Sequence, residues 1–417
     1  MSFLEQAFFL IVVLGILVFI HEAGHFLAAK LFAVGVETFS LGFGKRLLGF
    51  RRGGTDYRVS LIPLGGYVKM VGELAGESAQ DKGWPPDASF NVKTRWQRLI
   101  IMAAGPAMNI ALAIVIYWGL FMVGSQVPDL PEGPPRVEAV AEGSAAAEAG
   151  IRPGDRIIAI GGEKIDSLNE YGEERLFRPG QTVTYAIRRD GERLERELTL
   201  GEDPIHGVGQ DGIRIGLEVV LQEIAPDSPA AKAGLKAGDR IVSVDGRPAL
   251  NVAELSGYIG ERPGEEIDVQ VIRDGREIGL TVVPQKTEQG QGRIGVMLSY
   301  ATKFVRYGPV EAMGKALGET WRGTTLLFRT LHALITRDLG MDVVSGPLEI
   351  ARISRDQAEY GLAPFLQLLG FISLNLGIFN LLPVPVLDGG NILVLLIESG
   401  LRRDLSMAVK ERILQVG

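Results

Sequence analysis

His21, Glu22 and His25 stand in the order His-Glu-Ala-Gly-His. On a helix, positions i and i+4 share a face, so both imidazoles can reach one metal ion. The carboxylate beside the first histidine is then placed as a general base toward a water that the metal activates. The chemistry this spacing fits is zinc-assisted hydrolysis. The 417 residues contain 4 histidines (His21, His25, His206 and His332) and 0 cysteines. Thiolate zinc sites, disulfide staples and a cysteine nucleophile are therefore excluded together. Catalytic zinc ordinarily takes three protein ligands, so an acid has to complete the set. Asp388, in Leu387-Asp388-Gly389-Gly390, follows one apolar run and precedes another. Its neighbouring glycines permit the irregular backbone that is tolerated at membrane depth only beside protein or water. The alternative job for Asp388 is an N-cap before Ile392. Glu398 is a weaker candidate ligand, nearer the end and without the broken backbone.

The elements that must position these groups read as membrane spans. Ala7 to Ile20 is an unbroken apolar run, and Phe26 to Val36 continues it with Lys30 as the interruption. Together they exceed the roughly 20 residues that cross hydrocarbon. No basic n-region or small-residue cleavage site marks a removable signal peptide. A second span is predicted from about Leu99 to Val123, and a third apolar stretch runs from about Pro364 to Leu382, then breaks at Pro383 and Pro385. Ionisable groups inside a bilayer are costly, and this argues that the His-Glu-His cluster is functional. Residues 30–98 carry 11 Lys/Arg against 6 Asp/Glu, whereas residues 125–300 carry 20 against 31. The positive-inside rule places the first loop in the cytoplasm and the acidic block outside, with His21 and His25 nearer the cytoplasmic face.

The acidic block is a duplication. Ala149-Gly150-Ile151-Arg152-Pro153-Gly154-Asp155-Arg156-Ile157 matches Ala233-Gly234-Leu235-Lys236-Ala237-Gly238-Asp239-Arg240-Ile241. The same offset relates Arg178-Pro179-Gly180 to Arg262-Pro263-Gly264, and Arg189-Asp190-Gly191 to Arg273-Asp274-Gly275. One small fold used twice explains equal spacing over three blocks; a solenoid repeat is shorter. Each unit predicts short strands (Ile157 to Ile160, Val183 to Arg188) around a small-residue helix, Ala145 to Ala149. The pattern resembles the bacterial, circularly permuted PDZ domain, which implies capture of extended peptides at a sheet edge.

His21-Glu22-Ala23-Gly24-His25 together with Asn380-Leu381-Leu382-Pro383-Val384-Pro385-Val386-Leu387-Asp388-Gly389-Gly390 resembles the site-2 protease family. The resemblance extends to Ser89–Ala113, with Gly105-Pro106 and Asn109, to Leu41–Met70 as that family's re-entrant β-loop, and to Ser345–Ser354 before the third span. The tandem PDZ-like units point to the branch that regulates sigma-E signalling in the bacterial inner membrane. The fold this implies is a polytopic α-helical membrane protein with a membrane-associated β-loop and two inserted α+β PDZ domains. Its expected parts are a first transmembrane helix (1–36), a cytoplasmic loop with the β-element (37–98), a second helix (99–124), PDZ units at 136–216 and 217–298, connecting and amphipathic helices (299–362), a third segment with the Leu-Asp-Gly motif (363–400), and the start of a further region (401–417). That last region includes an amphipathic stretch, Leu405 to Val416, and the resemblance implies a fourth span after Gly417.

The resemblance also implies roles. Zinc is held by His21, His25 and Asp388, and Glu22 is base and then acid. Asn380 contacts the substrate backbone or the developing oxyanion, or else makes an interhelical hydrogen bond. Independently of the resemblance, strand-like Tyr57 to Ile62 and Tyr67 to Val71, flanked by Gly65 and Gly66, offer an edge for an extended substrate, with Gly65, Gly66 and Tyr67 as the expected contacts. The expected substrate is a single-pass membrane protein, an anti-sigma factor already trimmed outside or a remnant signal peptide. Membrane lipids and peptides at the periplasmic PDZ units are the other expected partners. A net charge of -7 gives no footprint for nucleic acid. Two other classes remain to be weighed: a non-catalytic PDZ-bearing membrane scaffold, against which the intact motif argues, and a transporter, which would need ionisable groups spread through several spans.

Overall fold

A computed structural model describes residues 3–73, 79–202, 208–249, 251–287, 290–336, 346–403 and 405. His206 and nearly all of the expected amphipathic stretch 405–416 lie outside the described residues. The chain divides into two compact units: Met1–Ser125 with Arg306–Arg329 and Val344–Gly417, and Gln126–Val305 with Thr330–Val343.

The first unit is built on long apolar helices. α1 (Phe3–Leu31) carries the His-Glu-His cluster in its C-terminal half. α2 (Arg95–Val123) starts from a capping box in which Thr94 and Gln97 satisfy each other's end of the first turn. α3 (Pro309–Thr336) and α4 (Pro347–Glu359) precede α5 (Leu362–Leu381), and α6 (Asp388–Leu401) follows. Among the described residues, three stretches are long and apolar enough to cross a membrane: Phe8–Leu31, Arg95–Val123 and Leu362–Leu381. Their contacts with one another are close. Val13 and Leu17 of α1 pack with Leu369 of α5, flanked by Leu112 and Ile116 of α2. Other faces leave Phe8, Phe19, Val115 and Phe371 exposed, the pattern of side chains directed at lipid.

Between α1 and α2 lie two long strands, β1 (Val36–Arg52) and β2 (Thr55–Met70). The sequence suggests two short strands here, Tyr57 to Ile62 and Tyr67 to Val71; the structure runs through Gly65 and Gly66 without a break in the strand. Both strands fold back on the sheet. Residues 38–41 pair with 66–69 on one side and with 56–59 on the other, and 56–59 pair again with 48–51. Two strands thus make four ribbons, with residues 66–69 and 48–51 at the edges. Phe39, Val36 and Met70 bury against Ala28, Ala29 and Ile101, which fixes the ribbons to α1 and α2. The far end exposes Leu47, Leu48, Phe50 and Leu61 beside Arg46, Arg51 and Arg52. An exposed apolar patch of that kind marks a membrane or partner contact.

The second unit holds the duplication. In the first repeat a four-stranded sheet includes Arg156–Ile160, Thr182–Arg189 and Glu192–Thr199, with a helix at Leu168–Leu176. The second repeat places Arg240–Val244, Ile267–Arg273, Arg276–Val282 and the helix Val252–Gly260 in the same order. Each has its own core, around Ile157, Tyr185 and Ile187 or around Ile241, Val269 and Val271. The repeated sequence blocks are the two ends of one ion pair. Asp190-Gly191 and Asp274-Gly275, all at positive φ, turn the hairpins. The preceding arginine then reaches back: Arg189 Nε and Nη2 donate to Asp155 at 2.7 Å each, and Arg273 donates to Asp239 at 2.6 Å each.

Candidate metal centre

α1 and α2 run antiparallel where they cross, and the crossing is close because two glycines face it. A Cβ on Gly24 would lie 2.3 Å from the Ala104 carbonyl oxygen, and one on Gly105 would lie 2.3 Å from His25 Nε2. This contact brings a stripe of α2 (Ile101, Gly105, Asn109) against the two histidines. His25 Nδ1 donates to the Ile101 carbonyl oxygen at 2.8 Å. A carbonyl only accepts, so Nδ1 carries the proton and Nε2 presents its lone pair. That lone pair faces His21 Nε2 at 3.2 Å.

Asp388 completes the group. The chain leaves α5 at Leu382, turns through Pro383 and Pro385, and re-enters a helix at Asp388. Gly389 and Gly390 pack so tightly on this turn that a Cβ at either would meet the Leu382 or Val384 carbonyl oxygen at 2.2–2.3 Å. Asp388 is the first helical residue and Leu387 occupies the N-cap position, so the carboxylate is not a capping group. Its Oδ2 lies 3.1 Å from His21 Nε2 and 3.5 Å from His25 Nε2. His21, His25 and Asp388 are, among the described residues, the one cluster whose donor atoms converge as metal ligands do.

The donor set fits zinc on chemistry and on size. Zinc bonds of about 2.0–2.1 Å in a tetrahedron put neighbouring ligand atoms roughly 3.3 Å apart. The three edges here are 3.1, 3.2 and 3.5 Å. Two imidazole lone pairs and a carboxylate at such distances repel one another unless a proton or a metal cation lies between them.

Glu22 lies beside this triangle and close to the Val68 backbone of β2. Gly66 packs on the same spot: a Cβ there would come within 3.2 Å of Glu22 Cγ and 2.8 Å of Val18. Tyr67 stacks its ring on Phe43, with centroids 6.1 Å apart, and accepts a hydrogen bond from Arg58. Gly65 has φ +132° and lies under the Phe43 ring. The structure thus brings the edge strand of the β-loop to Glu22. Asn380 is half-buried in the last turn of α5, and no hydrogen bond among the described residues engages its side chain. Asn109, noted in the sequence only as part of a motif, is the amide that touches a histidine, with Nδ2 3.3 Å from His21 Nδ1. Its partner lies 88 positions away, so no local spacing signals the contact. His332 lies on α3, away from the cluster in sequence and outside its ligand set.

The sequence profile of peptidase family M50 matches residues 9–417. The chain belongs to that family. It is similar to the regulator of sigma-E protease RseP of Escherichia coli, with 38% identity over 95% of this chain and 91% of that one. The protease RseP of Yersinia pestis is 36% identical over 95% and 91%, and the regulator of sigma E protease of Haemophilus influenzae is 31% identical over 100% and 96%. Among solved structures, the PDZ domain of the SdrC-like protein from Listeria monocytogenes aligns with 19% of this chain and 85% of its own, at 24% identity and a TM-score of 0.18. The chain is an intramembrane metalloprotease. The scaffold and transporter readings fall away.

Proposed function

We propose that His21, His25 and Asp388 hold a zinc ion and that Glu22 is the general base and then the general acid in peptide hydrolysis. The observation that carries this is the convergence of two Nε2 lone pairs and one carboxylate oxygen within 3.5 Å, with Glu22 alongside. When bound, zinc supplies Lewis acidity, acidifying water and polarising the scissile carbonyl. The chain's own residues do the rest. Glu22 takes a proton from the attacking water and returns it to the leaving amine. The ribbon at residues 66–69 is the outer ribbon of the sheet and lies next to Glu22, where an extended substrate segment pairs as an added strand and its scissile bond is presented. A helical substrate hides its peptide bonds, so an edge of this kind is what unwinds it. Asn380, at the end of α5, contacts the substrate backbone or the developing oxyanion.

The substrate is a single-pass membrane protein, and the relatives' names point to the sigma-E pathway, hence to an anti-sigma factor. The two repeats act as tandem, circularly permuted PDZ domains on the periplasmic side of the inner membrane and screen what reaches the zinc site; membrane lipids surround the three helices. Purified wild-type protein in lipid vesicles should cut a single-pass substrate, and chelation should stop it. Glu22→Gln should bind zinc and fail to cut. Cleavage by Glu22→Gln, or chelator-resistant cleavage by the wild type, would falsify the proposal.

A further inference from the structure

Asn109 is fully buried in an apolar helix, and its Oδ1 has no hydrogen-bond partner. An orphaned amide oxygen costs on the order of 1–3 kcal/mol, so its placement calls for a physical account. Its backbone is held as well: Ser373 of α5, also fully buried, donates to the Asn109 carbonyl oxygen at 2.7 Å. The side chain points at His21. For Nε2 of His21 to ligate a metal, its Nδ1 must carry the proton and needs an acceptor. With Nδ2 aimed at Nδ1, two donors would face each other, while Oδ1 would stay without a donor. A half-turn of the amide gives Oδ1 the donor it lacks, and O and N of an amide have nearly the same shape.

The pairing is systematic along the crossing. His25 donates to the carbonyl of Ile101, and His21 lies against the amide of Asn109, two turns farther along the same face of α2. We infer that Asn109 is a positioning residue that accepts the Nδ1–H of His21 and so holds that imidazole in the metal-binding tautomer and orientation. α2 would then supply the outer partner of both histidine ligands, one through its backbone and one through a side chain. This rests on the zinc reading above.

The test is zinc affinity of the full-length protein in detergent, measured by competition with a chelating dye, for Asn109→Ala, Asn109→Asp and His21→Ala. Loss of an outer partner of a ligating histidine typically weakens metal binding about 10–100-fold, and that loss is expected for Asn109→Ala. Asn109→Asp presents an oxygen to the same Nδ1–H and should bind zinc within about threefold of wild type. A packing role alone predicts the reverse order, because a buried carboxylate costs more than a small cavity. Wild-type affinity in Asn109→Ala, or an Asn109→Asp variant no tighter than Asn109→Ala, would overturn the inference. His21→Ala separates the two levels. If it also keeps wild-type affinity, the zinc reading itself falls; if it loses zinc while Asn109→Ala does not, only the role of Asn109 falls.

Discussion

At the residue scale, the groups proposed to carry the chemistry are brought together by very different means. His21 and His25 are one helical turn apart, and no cysteine competes for zinc. The ligand role proposed for Asp388 can be read in the sequence only from its context of prolines and glycines, and the role proposed for Asn109 not at all, because it depends on how two helices cross. The ion pairs of the repeats had a visible trace: the aspartate and the arginine each sit in a duplicated block. Asp155 and Asp239 show what those pairs do. Burial pushes both carboxyls up, but the Arg189 or Arg273 guanidinium and a backbone amide outweigh it and hold them below the usual carboxylate range. A carboxyl lowered on folding adds stability that is complete above its unfolded pKa, about 3.9. That stability is lost as pH falls through the lower folded value. Hydrogen-exchange protection of the repeat cores, each rate taken relative to the intrinsic rate at that pH, should therefore be flat from neutral pH down to about 4 and fall below it. Asp239→Asn should destabilise the second repeat by about 2–3 kcal/mol at neutral pH and lack that carboxylate's share of the acid loss. Unchanged exchange in this variant at pH 7 would show that the pair contributes nothing.

At the scale of elements, the long apolar helices were plain from length and hydropathy, and the break at Pro383 and Pro385 was marked in the sequence. The β-loop was legible as strand but not as architecture. Alternation identifies a strand; it does not say that 38–41 will be paired on both sides. The helix crossing has a sharp consequence. Alanine in place of a helical glycine ordinarily gains about 1 kcal/mol in propensity. At Gly105 the added methyl would have to occupy the space of the His25 imidazole, 2.3 Å away. Gly105→Ala should therefore cost at least tenfold in cleavage and lose zinc, despite a better helix former; a variant with full metal content and activity would mean the helices slide apart freely. The outer ribbon gives a second test. Proline at Tyr67, which pairs with Ser40, disrupts the ladder that holds the outer ribbon, and with it the edge that is proposed to receive substrate. Cleavage of a membrane-embedded substrate should fall more than tenfold while zinc stays bound, and an unaltered rate would remove strand addition from the mechanism.

For the whole molecule, the question is why a protease that needs one helix crossing and one turn carries a duplicated block of about 160 residues. The block is a separable insertion. Ser125–Pro128, where the chain enters it, pairs with Thr302–Val305, where the chain leaves. The Asp129 amide donates to the Ala301 carbonyl at 2.8 Å, and Lys303 pairs with Asp129 at 2.8 Å. Entry and exit are thus closed by their own ribbon. Removing what lies between them need not disturb α2 or the part of α3 within Arg306–Arg329, and neither the proposed ligands nor Glu22 is in the insertion. If the repeats screen substrates, replacing residues 131–299 with a short glycine–serine link should leave the rate on a short, pre-trimmed substrate within about threefold. The same change should let the protein cut a substrate that still bears its bulky outer domain. The two halves of the outcome bear on different claims. Loss of cleavage on the trimmed substrate would mean the repeats help to build the active site. Retained cleavage with undiminished rejection of the bulky substrate would place the filter in the membrane unit itself, at the ribbon edge or at α3, and leave the repeats as peptide-binding modules. Each result is read by the ratio of the two cleavage rates, which cancels any change in expression or zinc loading.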